Sequence, residues 1–101
     1  MIVVMNVLRA REGRAEDVER AFFERERSLS EMDGFAGFEL LRLDREDEYV
    51  AMTRWDDHDS FRAWVDSDFF KRAHDRRHGY GAMVRGTEVR TYEVLDVEAP
   101  A

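Results

Sequence analysis

The run IVVMNVL, Ile2–Leu8, decides how the rest of the chain must fold. It is β-branched, apolar and of strand length. Successive strand side chains point to opposite faces, so Ile2, Val4, Asn6 and Leu8 share one face and Val3, Met5 and Val7 the other. Both faces are apolar, and both must be covered. Asn6 is the one polar side chain in the run. Once buried, it needs partners for its carbonyl and its amide. Neighbouring backbone would make it structural; a ligand would make it functional.

Outward from this strand, Arg9–Arg14 contains Gly13 and reads as a loop. Ala15–Met32 reads as one amphipathic helix, with Val18, Phe22, Leu29 and Met32 at helical spacing. Glu16 and Asp17 occupy its first turn, where the helix dipole favours acids. Arg25 lies on the same stripe; it reaches a ligand or snorkels to water, and snorkelling is the simpler reading. Asp33-Gly34 ends the helix, with Gly34 suited to a left-handed cap. Phe35–Leu43 and Glu48–Trp55 form a hairpin across the polar turn Asp44–Asp47. Asp56–Ser60 offers N-cap residues for a helix beginning near Asp59. Ser67 starts a further helix, Asp68–His78. Gly79, Gly81 and Gly86 mark a loop, and Thr87–Val97 is the last strand.

The order is β-α-β-β-α-β, the ferredoxin-like pattern of the α+β class, in one domain spanning 1–101 with an ordered core of about 2–97. Helices in two stretches cover only one face of a four-stranded sheet. The other face must meet something, and a second copy of the chain is the simplest partner. The expectation is a homodimer whose two sheets close into an α/β barrel.

Composition narrows the function classes. A net charge of -7 with 39% charged residues speaks against nucleic acid, since phosphate binding needs a basic face, although a local basic patch remains. No apolar run reaches the ~18 residues that span a membrane, and the N-terminal strand lacks the features of a signal peptide. There is no Cys, which removes disulfides, thiolate metal sites and Cys nucleophiles and fits a cytoplasmic setting. No phosphate loop, nucleophile elbow or acidic metal cluster is present. Met5, Met32, Met52 and Met83 are scattered and read as core fillers.

The chemistry concentrates in AWVDSDFFKRAHDRRH, Ala63–His78. His74 and His78 are spaced for one face of a helix, but a zinc site lacks a third ligand and would sit beside Arg76 and Arg77. His58, in the acidic stretch DDHDS, reads as exposed. Phe69, Phe70 and Ala73 give His74 an apolar setting. An imidazole beside aromatic side chains suits an iron porphyrin, which needs a nitrogen ligand and a flat apolar slot. Lys71, Arg72, Arg76 and Arg77 could pair with the propionates, or form a solvated helix face. A plain core or surface role for His74 stays open on these grounds.

The sequence resembles a known family. Asn6 in the first strand, Trp64, and Ser67-Asp68-Phe69-Phe70-Lys71-Arg72-Ala73-His74 are similar to the IsdG-type heme-degrading monooxygenases of the antibiotic biosynthesis monooxygenase superfamily. The turn Gly34-Phe35-Ala36-Gly37-Phe38, the strand end Thr53-Arg54-Trp55 and the following Asp59-Ser60-Phe61-Arg62-Ala63-Trp64 are similar as well. The Gly-Phe turn and Trp55 speak for the fold; Asn6, Trp64 and His74 together speak for heme. The resemblance implies that His74 is the proximal iron ligand. It implies that the Asn6 amide donates to dioxygen on the distal side, and that Trp64 presses on the porphyrin and distorts it. Phe70, Arg25 and Arg77 would complete the heme contacts. The implied reaction opens the ring with dioxygen and an external electron donor served by an unidentified reductase, releasing iron and a bilin-like product. Two other readings share the fold: a cofactor-independent monooxygenase acting on a quinol or polyphenol, and a non-catalytic dimeric heme or stress-response domain.

Overall fold

The computed structural model describes residues 1–76 and 80–101, with side chains described outside 73–81. Four strands, β1 (Ile2–Ala10), β2 (Phe35–Arg42), β3 (Glu48–Trp55) and β4 (Val84–Glu93), form an antiparallel sheet in the order β2-β3-β1-β4. Between β1 and β2 lie α1 (Ala15–Phe23) and a short 3-10 turn, Leu29–Glu31. Between β3 and β4 lie α2 (His58–Val65), α3 (Asp68–Arg76) and the single turn α4 (Tyr80–Met83). This is the expected ferredoxin-like α+β arrangement, with the run Ile2–Leu8 in the middle of the sheet.

Directly opposed residues share a face, so the ladder sorts the side chains. Asn6 lies opposite Ala51 on β3 and Val89 on β4, and Leu8 lies opposite Tyr49 and Thr87. On that face α1 contributes Val18 and Phe22 to a cluster with Leu8, Ala10, Tyr49 and Val84. A second cluster joins Ile2, Val4 and Trp55 to Leu29, Met32, Phe35, Phe61 and Trp64. Trp55 is fully buried, and its indole N–H is satisfied by Thr53 Oγ1 at 2.9 Å. Met32 and Met83 pack on these clusters and Met52 is buried, as gap-fillers should be.

The expected helix Ala15–Met32 is broken, and the structure shows why. The early part of its apolar stripe belongs to the first cluster and the late part to the second. A straight helix would carry Leu29 and Met32 away from Trp55. Instead α1 stops at Phe23, where Glu24 N–H donates to Arg20 O at 2.9 Å and Arg25 Nη1 donates to Phe22 O at 2.8 Å. The chain restarts as the 3-10 turn beneath the second cluster. Gly34 then has φ +80, and a Cβ there would collide with Ser60 at the start of α2. Glycine is needed at this position for both reasons.

Other boundaries shift. β1 runs on to Ala10, and β2 ends one residue early at Arg42. α2 begins at His58, capped by Asp57, whose Oδ1 accepts from the Ser60 N–H and hydroxyl at 2.8 Å each. α3 begins at Asp68 as expected, with Ser67 Oγ accepting from Phe70 N–H at 3.2 Å. The helix is described to Arg76, so the expected end at His78 lies outside the described residues. The last strand occupies Val84–Glu93 and not Thr87–Val97. Its start is set by pairing with Ala10, and its end by the start of β1, since Ile2 opposite Glu93 is the final pair.

Away from the helices, Val3, Met5, Val7, Val50 and Met52 form an apolar stripe along β1 and β3. Ion pairs flank it: Arg9–Glu48 at 3.2 Å, Arg54–Glu39 at 3.7 Å and Arg90–Glu88 at 2.9 Å. Within the single chain Val3 and Met52 are buried, and Met5, Val7 and Val50 are half-buried.

Candidate functional site

The two apolar clusters do not merge. Along β1, Val4 belongs to one and Leu8 to the other; between them, on the same face, stands Asn6. Its Oδ1 is fully buried and has no hydrogen-bond partner among the described residues. Leaving such a group unsatisfied costs roughly 1–3 kcal/mol. The backbone-satisfied reading of Asn6 therefore fails for its oxygen. Half a turn of the amide would present the NH2 group in the same place, since the two ends are nearly isosteric.

Val89 lies across from Asn6 on β4, faces the helices, and is 62% exposed. An aliphatic side chain on the helix side of a sheet should be covered. Among the described residues, the helical layer stops short of β4 beside Asn6. Nothing in the local sequence marks this residue: the apolar positions of Val84–Glu93, namely Val84, Val89 and Tyr92, do not alternate.

One wall is aromatic. Trp64 on α2 stacks on the buried Trp55 with centroids 6.5 Å apart, and Phe70 on α3 meets Trp64 edge-on at 5.7 Å. Trp55 thus fixes Trp64, and Trp64 fixes the first turn of α3. Ser67 adds a second tie, donating its hydroxyl to Trp64 O at 2.6 Å while capping α3. Any ligand held by α3 is positioned through this chain of rings.

Arg25 does not snorkel. Its guanidinium lies 4.0 Å over the Phe38 ring and its Nε is fully buried. A cation held on a ring face is attracted by the ring's quadrupole. Phe38 is on β2, two strand spacings from β1, which puts this charge about 10 Å from the Asn6 strand. Of the other cations, Arg72 pairs with Glu26 at 3.3 Å and lies 4.7 Å over Phe69, so it is spoken for. Lys71 is exposed. His74 lies within α3, its side chain outside the description, and Arg77 and His78 lie outside the described residues altogether. His58 is exposed at the start of α2.

The structure thus brings Asn6, Trp64 and Phe70 to one side of the sheet and puts Arg25 at its margin. The residues fit a heme: an orphaned amide, an aromatic wall, an uncovered strip beside Val89, and a His-bearing helix anchored on the wall.

Three comparisons bear on this arrangement. The sequence profile of the antibiotic biosynthesis monooxygenase family matches residues 1–76. A curated heme-degrading monooxygenase of Listeria welshimeri is 34% identical, over 99% of this chain and 96% of that protein. Among solved structures, the heme-degrader MhuD of Mycobacterium tuberculosis, with two hemes bound in its active site, superposes with a TM-score of 0.75. The identity there is 25%, over 97% of this chain and 100% of that one. SnoaB of Streptomyces nogalater, a cofactor-independent oxygenase, superposes with a TM-score of 0.76 at 22% identity over 95% and 94%, a likeness of fold. This chain therefore belongs to the antibiotic biosynthesis monooxygenase family, and the curated relatives it resembles along nearly its whole length are heme-degrading monooxygenases.

Proposed function

We propose that this protein is a heme-degrading monooxygenase that opens the porphyrin with dioxygen and electrons from an external donor, yielding iron and a bilin-like product. The observation that carries the reading is the buried Asn6 oxygen left without a partner in the break between two apolar clusters. An amide whose oxygen is buried and unmatched is, once turned, a positioned donor for an oxygen that gains negative charge during reaction. Heme is the substrate, and it supplies both the iron that activates dioxygen and the ring that is opened. The chain's own residues bind and orient it. His74 on α3 is assigned the iron. Trp64, backed by Trp55, presses on the ring, and Phe70 lines it. Arg25 and Arg77 are assigned to the propionates.

The protein acts as a homodimer through the apolar stripe Val3, Met5, Val7, Val50 and Met52, an apolar centre with a charged rim. Residues 1–101 form one domain, in which β4 completes the sheet beyond the matched residues 1–76. The Cys-free chain is assigned to the cytoplasm, with electrons from a partner reductase.

A hemin titration followed by absorbance tests the assignment. A saturable Soret band at one heme per subunit is expected, and His74→Ala should abolish it. A cofactor-independent quinol monooxygenase shares the fold; it would show no stoichiometric heme band and would consume oxygen with a quinol alone.

A further inference from the structure

The flank of α2 turned toward β4 borders a second space. A cavity of about 370 Å³ lies there, lined among the described residues by His58, Phe61, Arg62, Val65 and Thr91. Thr91 stands opposite Val4, so it is on the helix side of the sheet, two residues along β4 from Val89. His58, Phe61, Arg62 and Val65 follow the spacing i, i+3, i+4, i+7 and so share one flank of α2. Asn6, Trp64 and Phe70 do not line this cavity. It and the candidate heme site share a helix, with different residues facing each.

The lining has two kinds of surface. Phe61 and Val65 are half-buried and form an apolar floor. The Phe61 ring is held from behind, edge-on to the buried Trp55 with centroids 6.0 Å apart. His58, Arg62 and Thr91 are exposed and put polar groups at the rim. Helical spacing offers Arg62 two acidic neighbours, Asp59 three residues before it and Asp66 four residues after. It forms an ion pair with neither of them, nor with any other described residue, and its side chain lines the cavity instead. Asp57, one turn earlier, is engaged elsewhere: its Oδ1 accepts from the Ser60 N–H and hydroxyl. A guanidinium left without a carboxylate from its own helix presents a planar fork of donors that matches a carboxylate from outside.

We propose that this cavity binds a small aromatic carboxylate. The ring lies on Phe61 and Val65, the carboxylate accepts from Arg62 with the His58 imidazole one turn before it, and a polar ring substituent meets the Thr91 hydroxyl. The volume is at the small end of the range for ligand sites, which suits a single ring and is too small for a porphyrin. The inference goes beyond the heme reading and does not depend on it.

The probe is 4-hydroxybenzoate, titrated into the full heme-free chain and followed by amide proton–nitrogen correlation spectra. Saturable shifts centred on residues 58–65 and 89–93 are expected. Arg62→Ala should keep the dispersed spectrum of the fold and weaken binding about tenfold or more, the loss of a charge-assisted hydrogen bond. Arg62→Lys should recover only part of the affinity, because an ammonium cannot make the paired contact. The uncharged analogue 4-hydroxybenzyl alcohol should bind about tenfold more weakly than the carboxylate. Hemin should not displace the probe in equilibrium dialysis. The absence of saturable shifts, an unchanged affinity in Arg62→Ala, or equal affinity for the alcohol would each overturn the proposal. Displacement by hemin would overturn it too, by making the cavity part of the candidate heme site.

Discussion

Asn6 shows how one side chain can be read two ways until its surroundings are known. In sequence it is a polar interruption of an apolar strand; in the fold its oxygen is buried and unmatched. Asn6→Ala should keep heme binding, because the iron ligand remains, and slow degradation by roughly 100–1000-fold, the range for loss of one preorganised donor. Loss of binding in that variant, read from the Soret titration, would contradict the assigned role. Tyr49 makes a second prediction at this scale. Burial, then a 2.5 Å hydrogen bond to Glu19, push its hydroxyl up to about 12. Because the folded value lies above the unfolded one near 10, the stabilisation is complete below pH 10 and is lost as pH rises toward 12. Urea unfolding of the wild type should weaken across that window, and Tyr49→Phe should flatten the fall; parallel curves would refute it.

At the scale of elements, positions facing one cluster were legible and changes of cluster were not. The alternation in Ile2–Leu8 and the bounds of β3 followed from period and turn residues. The break after Phe23 did not, because its apolar stripe is continuous in sequence and only the separation of the two clusters divides it. Likewise, strand composition carries on to Val97, but a strand needs a neighbour and β1 provides none beyond Ile2. The site was half legible. Trp64 and Phe70 meet edge-on, a contact only the fold reveals, and the guanidinium of Arg25, for which snorkelling is the simpler reading in sequence, lies on Phe38. Val89 was missed because exposure on the covered side of a sheet is not a property of local sequence. Two element-level predictions follow from the ties among these pieces. Ser67→Ala removes the cap of α3 and should cost about 1 kcal/mol in chemical denaturation while loosening heme affinity. Trp64→Ala should lower turnover more than it lowers affinity; an unchanged rate would take Trp64 out of the mechanism.

For the whole molecule, one sheet has two dissimilar duties. The face under the helices holds two apolar clusters and the candidate site, and the other carries an apolar stripe between ion pairs. Met5 and Asn6 are neighbours in sequence and face opposite ways, so β1 carries both the proposed dimer face and the candidate site. Val7→Glu places a carboxylate in the stripe beside Val50 and should shift sedimentation toward monomer; a dimer of unchanged strength would show that the subunits meet elsewhere. The central claim is that heme is consumed here and not merely held. The most direct measurement is to load the protein with one equivalent of hemin, add ascorbate in air, and follow the Soret band together with released iron by a ferrous chelator. Decay of the band with stoichiometric iron release, slowed in Asn6→Ala, is the predicted result; a persistent band with no iron released would contradict it.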